Sequence, residues 1–475
     1  MSAQPSAAVV ARAPATPGAV PGAAILERGL DEAARLPADA LARVAVPAAI
    51  APAAGLWRLA GDAVLWEARD EELAIAGVGV AAAASASGAA RFDDVAAAGA
   101  AILARVVTIG DGPAPRLLGG FSFAPGGART GAWHDFGDAW FALPRWTYER
   151  RGNGAWLVLA VAPTEARDVR ERARLHAEHA AAVSALAETL ATPRARAEAT
   201  IDLPRERWTD AIEDIRASID QGRCRKVVAA RVRQVELAAP VDAGAVLAEL
   251  GRRHPDCTRF GVRRNGAAFV GATPERLIRR RGDAVDSEAL AGSIARPPRS
   301  AASDDAALAM ALVDSAKDRG EHELVVRAIE HGLGPWCCAL DVPATPAVRT
   351  LRHVLHLHTP VHGTLFAPRH VLALAAALHP TPAVGGTPTA AALAWIAAHE
   401  PATRGWYAAP VGWFDADGDG ELAVAIRSGL IDGDTATLHA GAGIVRDSDP
   451  AAEWAETEVK LRALSGALGL EESAR

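Results

Sequence analysis

A chain of 475 residues, half of them hydrophobic, is long enough to bury one very large core or two to three ordinary ones. Its 50 basic against 57 acidic residues leave a formal net charge of −7, with no block of Lys and Arg able to neutralise a run of phosphates, so nucleic acid is not an expected partner. The four cysteines, Cys224, Cys257, Cys337 and Cys338, include no C-x-x-C pair, which argues against a zinc or redox site and for reduced, buried thiols in a cytosolic protein.

Residues 1–24 are rich in Ala, Pro and Gly and nearly devoid of large apolar side chains, so a flexible tail is expected. Pro14, Pro17 and Pro21 interrupt any signal-peptide core. Farther on, charges cut every apolar stretch short of the roughly 18 residues needed to cross a bilayer, and no membrane partner is expected. From 25 to 162, short strand-like runs such as Ala155–Val161 and Gly119–Ala124 alternate with turns and carry little recognisable chemistry. The charged, alanine-rich segment 163–198 reads as one long helix or helical linker ending before Pro193. It divides a variable N-terminal half, 25–199, from a region, 200–470, where polar residues stand at positions a core would normally forbid.

In CRKVVAARVRQVEL, alternation predicts a strand with Lys226, Val228 and Ala230 on one face. Lys226 either snorkels to solvent or is neutralised by burial and serves as a base. GATPE predicts a strand end whose turn presents Glu275, a surface carboxylate or, in apolar surroundings, a general acid. SAKDRGEHELVVRAIEHGL fits an amphipathic helix on which Lys317 and Glu321 form an i,i+4 pair. Asp449 and Pro450 start a further helix that sets Glu453, Glu456 and Lys460 on one face. That face is either solvated or, with Glu321, a hard-oxygen site suited to Mg²⁺. LAVAIR predicts a strand ending at Arg427, with Ala423 and Ala425 leaving space beside the guanidinium for a carboxylate.

Three motifs fail. Asp415, Asp417, Asp419 and Gly420 open like a calcium loop, but Ile426 occupies its closing acidic position, and a hairpin turn is expected instead. His356 and His358 share a strand face without a third zinc ligand at fitting spacing. Gly441 and Gly443 lack the third glycine of a dinucleotide fold, which leaves an anion-binding backbone as their possible use.

Taken in order over about 205–465, the stretches KVVAAR, GATPERL, EALAGSIAR, AKDRGEHELVV, LHLHTP, LHPTPAVGGTP, RGWYAAPVGW, AVAIRSGLI and AGAGIVRDSDPAAEWAETEVK resemble the chorismate-utilising enzymes. That family includes isochorismate, salicylate, anthranilate and aminodeoxychorismate synthases. The resemblance implies an α+β fold, with antiparallel sheets packed face to face and flanked by helices in one catalytic domain built from both halves. It implies chorismate as substrate, Mg²⁺ as cofactor and a monomer.

By resemblance, Lys226 marks the members that use water as nucleophile, and Ala291 replaces the lysine of aminodeoxychorismate synthases. PTPAVGGTP and VGWFDADGDGELAVAIR are similar to the isochorismate-forming branch, whose step serves both menaquinone and siderophore routes. The alternatives are a salicylate-forming enzyme or a binding protein without turnover. The resemblance implies Lys226 as base and Glu275 as acid, with Glu321 and Glu456 holding the metal beside Glu453. Arg427 and Tyr407 would hold the enolpyruvyl carboxylate, and His356, Ala291 and Gly292 would line the substrate. Backbone N–H groups near Gly441 and Gly443 would assist, with Lys460 balancing charge. Ala409 departs from a glycine common in the family, at the enolpyruvyl side.

Overall fold

The computed structural model describes residues 21–70, 73–128, 131–297 and 302–470. Twenty-one strands among them join one hydrogen-bonded sheet. Leu41–Pro47 runs parallel to Val106–Ile109, and the other pairings are antiparallel. The two halves of the chain share this sheet. Ala63–Glu67 pairs with Thr258–Arg264, and Arg116–Phe121 pairs with Pro410–Asp415.

Period-two alternation explains how one strand serves two cores. On Ala139–Arg151, Trp140 and Ala142 enter a cluster with Trp66, Phe260, Phe269 and Trp413, while Phe141 enters another with residues of several helices. The first cluster is filled from strands and their connections without an α-helix, so sheet packs on sheet there. The second, between sheet and helices, includes Val325 and Ile329 of the helix Ala316–Leu333 and Trp454 of the helix Pro450–Leu468. Burying each such large side chain stabilises the fold by roughly 1.5–3 kcal/mol before entropy is counted. The α+β architecture expected from sequence is therefore present. No helix among the described residues is long and apolar enough to cross a membrane.

Local boundaries differ in three places, and cysteine burial in a fourth respect. Residues 1–20 of the expected tail lie outside the described residues, and its last four begin the helix Pro21–Ala33. The single helix expected over 163–198 is two, Pro163–Arg167 and Val169–Ala187, because Asp168 takes extended backbone and its carboxylate accepts the Arg170 and Glu171 N–H groups. The strand expected to end at Arg427 stops at Val424, and Arg427 sits at φ +54°, a left-handed conformation costly for a residue with a Cβ. All four cysteines are free thiols, but only Cys224 and Cys257 are buried as expected, whereas Cys337 is half-buried and Cys338 exposed at the start of the strand Cys337–Asp341.

Candidate active site

Two helices bring acidic residues to the sheet, and each starts where its capping residue dictates. The Ser315 side chain accepts the Asp318 N–H at the head of Ala316–Leu333, and Asp449 accepts the Ala452 N–H ahead of Pro450. The strand Lys226–Leu237 lies between Gly386–Thr387 and Thr435–Ile444. Val228 N–H goes to Gly385 O and Ala230 N–H to Glu400 Oε1 at 3.0 Å. Opposite Gly443 and Gly441 the ladder is therefore of the non-hydrogen-bonded kind, and the amides of both glycines turn to the strand's other edge. There Lys460 Nζ donates to Gly441 O at 2.7 Å.

Lys226 is wholly buried, against the snorkelling alternative, and its Nζ stands 2.8 Å from Glu321 Oε1, at an angle too oblique for a hydrogen bond. Gly443 packs directly over this pair. A Cβ there would fall 2.4 Å from Glu321 Oε1 and 2.8 Å from Lys226 Cε, so any side chain at 443 would push the ends of both groups aside. Lys317 does not pair with Glu321 along its own helix. It crosses to Glu453 at 2.8 Å, while Glu456 pairs with Lys460 at 2.5 Å. Each of the three glutamates thus has its own lysine, and among the described residues no three acidic, His or Cys side chains converge on one point. The expected gathering of Glu321, Glu453 and Glu456 is looser than a closed ligand set, because close carboxylates repel unless cations stand between them. Burial, then the charge of Glu456, raises the Glu453 pKa.

Glu275 lies in the turn between strands Ala267–Thr273 and Arg276–Arg281 and is buried. Burial, then the negative charge of Glu288, pushes its carboxyl up to about 8 against the opposing charges of Lys226, Arg427 and Lys460. At neutral pH it is an acid with a proton to give. Arg427 Nη2 lies 3.3 Å from His356 Nε2, and His356 Nδ1 lies 2.9 Å from Ser293 Oγ and 3.3 Å from Gly292 O. Burial, then the Arg427 charge, holds His356 well below its ordinary pKa, so the ring is neutral, with its proton on Nδ1 facing Gly292 O. Gly292 makes a bulge at φ +75°, where a Cβ would press on Asp318. Tyr407, its pKa pushed up to about 12 by burial, stacks on His439 at 4.9 Å and keeps its phenolic proton.

A small cavity of about 30 Å³ touches Arg427, Lys460 and Pro274. A larger hollow of about 380 Å³ lies elsewhere, against Trp57, Asp242 and Arg263, whose guanidinium is occupied by the Trp57, Leu59 and Gly61 carbonyls. Chemistry, not volume, therefore singles out the site around Lys226.

Residues 44–469 match the family model described as "Chorismate binding enzyme". The chain belongs to the chorismate binding enzyme family. Among curated relatives of this chorismate binding enzyme, the salicylate biosynthesis isochorismate synthase of Pseudomonas aeruginosa is 42% identical over 364 residues, 75% of each chain. The isochorismate synthase MenF of Bacillus subtilis is 37% identical over 355 residues, again 75% of each. Among solved structures, the menaquinone-specific isochorismate synthase MenF of Escherichia coli superposes with a TM-score of 0.77 at 28% identity, covering 93% of this chain and 99% of that one. The family match reaches well into the half that sequence reading treated as variable.

Of the expected site residues, the fold brings Lys226, Glu321, Gly441, Gly443, Lys460, Glu456 and Tyr407 around one strand edge. Arg427, His356 and Gly292 form a contacting chain, Glu275 is within electrostatic reach of both groups, and Glu453 stands on the Glu456 helix. Ala291, beside Gly292, is buried, and its carbonyl lies 3.2 Å from His322 Nδ1. His358, paired on one strand face with His356 in the sequence, turns to Glu288 at 2.9 Å. Sequence reading missed the cross-helix role of Lys317 and passed over Glu288, although an acidic residue inside the strand run VDSEALAGS was a visible anomaly.

Proposed function

We propose that this chain converts chorismate to isochorismate. Water adds at C2 of the ring, the ring double bonds shift, and the C4 hydroxyl departs as water, so the reaction is an isomerisation. The observation that carries the reading is a wholly buried lysine amine, Lys226, in the same site as a buried carboxylic acid, Glu275, that keeps its proton at neutral pH. Lys226 takes the proton of the attacking water, and Glu275 protonates the leaving oxygen, which would otherwise depart as hydroxide. The names of the similar isochorismate synthases agree with the product proposed.

Arg427 and the protonated Tyr407 bind the enolpyruvyl carboxylate, and the outward amides of Gly441 and Gly443 assist in holding the substrate. Neutral His356, fixed through Ser293 and Gly292, packs against the ring beside Ala291. The hard-oxygen donors Glu321 and Glu456, with Glu453 close by, fit Mg²⁺ in their chemistry. When bound, the metal supplies positive charge to the ring carboxylate. Lys460 balances the acidic side chains. The catalytic region is 200–470, closed on one side by the N-terminal half.

Incubation of the full chain with chorismate and Mg²⁺, followed by chromatography, tests the reading. Isochorismate is the expected product. Salicylate with pyruvate, or no product, would overturn it. Two further outcomes are expected. Because Glu275 acts while protonated, kcat/KM should fall as pH rises through about 8, and a kcat/KM flat from neutrality to about pH 10 would count against its role. Gly443→Ala, whose methyl group would displace Glu321 and Lys226, should lower kcat by about a hundredfold with the fold intact by circular dichroism. Wild-type turnover in that variant would show the close packing to be irrelevant.

A further inference from the structure

Glu288, on the strand Ala284–Ala295, is 5% exposed, and no step above uses it. A carboxylate so buried is costly unless paired, and this one is paired from three separate parts of the chain. Arg69 Nη2 donates to its two oxygens at 2.8 and 2.7 Å, His358 Nε2 lies 2.9 Å away, and Arg349 Nη1 lies at 3.4 Å. The remaining partner is the backbone, since Arg276 N–H donates to Glu288 Oε1 at 2.6 Å. The same two arginines also hold a backbone oxygen. Both Arg69 Nη1 and Arg349 Nη1 donate to Pro274 O, the latter at 3.2 Å. Pro274 and Arg276 are the two neighbours of Glu275, so the cluster grips its turn on both sides.

We propose that Glu288, clasped by Arg69, Arg349 and His358, is a positioning residue for Glu275, fixing the turn at both ends and aiming the carboxyl at the substrate ring. The proposal rests on the reading of Glu275 as proton donor. It also gives the N-terminal half a part in the reaction, because Arg69 follows the strand Ala63–Glu67 of that half. Electrostatics agree with the geometry. Glu275 is faced by Lys226 from its strand, Lys460 from the helix Pro450–Leu468 and Arg427 from the turn after Val424, and Glu288 is the negative neighbour that opposes them. Although burial favours its neutral form, bonds from His358 and Arg69 and the charge of Arg349 keep Glu288 ionised.

The test compares Glu288→Gln, Arg69→Met and Glu275→Gln in the full chain, measuring kcat and KM for chorismate with Mg²⁺ from about pH 6 to about pH 10. Glutamine keeps an acceptor for the Arg276 N–H but removes the charge. Glu288→Gln should lower kcat by about ten- to a hundredfold with KM changed less than about twofold. Loss of the negative neighbour also favours ionised Glu275, so the alkaline limb of the kcat/KM profile should move to lower pH. Arg69→Met should move that limb to higher pH, by leaving the Glu288 charge less compensated, and it carries the test if Glu288→Gln does not fold. A mere loss of packing would not shift the two limbs in opposite directions. Unmoved limbs, or a change confined to KM, would overturn the proposal while an inactive Glu275→Gln left the acid assignment standing. An active Glu275→Gln would overturn the acid assignment itself, and the proposal with it.

Discussion

Lys226→Gln should lower kcat for isochorismate formation by a factor on the order of 10²–10⁴, the usual value of a positioned general base. Glutamine approximates the length of the side chain and can hydrogen-bond to Glu321, but it cannot take a proton from water. The effect should fall on kcat rather than KM, because the amine acts on the nucleophile and not on the carboxylates of the substrate. Lys226 is wholly buried and 2.8 Å from Glu321, so the change also removes the side chain against which that carboxylate packs. Some loss of stability is expected, of the few kcal/mol typical of a half-broken buried pair. Thermal melting monitored by circular dichroism separates that loss from catalysis. A folded Lys226→Gln protein with wild-type kcat would remove Lys226 from the mechanism.

Glu275→Gln should be comparably damaging, with kcat reduced by about 10²–10⁴-fold. Unlike the lysine substitution, it should cost little stability. Glu275 is held protonated by burial and by Glu288, so an uncharged amide replaces an already uncharged acid. The variant should also lose the fall in kcat/KM above pH about 8, since the group responsible has been deleted. Stopped turnover in a protein that melts like the parent is the expected pair of results. Strong destabilisation would mean that Glu275 is ionised in the folded chain.

The residues proposed to carry the chemistry each had a bland reading when taken alone, and the order of the motifs that hold them, resembling the chorismate-utilising enzymes, is what singled them out. A lysine opens an apolar strand at 226, a glutamate sits in a turn at 275, and an Asp-Pro start places Glu453, Glu456 and Lys460 on one helix face. The pairing of those charges was not legible. Helical spacing suggested Lys317 with Glu321, but a partner one turn away competes with partners on neighbouring elements, and here the lysine of one helix meets the glutamate of another. Arg427 was anticipated as a ligand-facing arginine, whereas its left-handed backbone was not, since LAVAIR alternates like an ordinary strand through to Arg427. The Glu288 cluster joins residues at 69, 288, 349 and 358, and such a union is set by sheet topology rather than local pattern. The same holds for the N-terminal half. Its strands alternate without distinctive motifs, yet they complete the sheet and deliver Arg69.

The central claim is that a molecule of water, activated at Lys226, becomes the new hydroxyl while the old one leaves with the proton of Glu275. Conversion of chorismate in ¹⁸O-enriched water, followed by mass spectrometry of the isochorismate formed, tests this most directly. One heavy oxygen at C2 is the predicted result. Isochorismate that retains the original light oxygen would mean that the hydroxyl migrates within the molecule, and the roles assigned to the lysine and the acid would both be wrong.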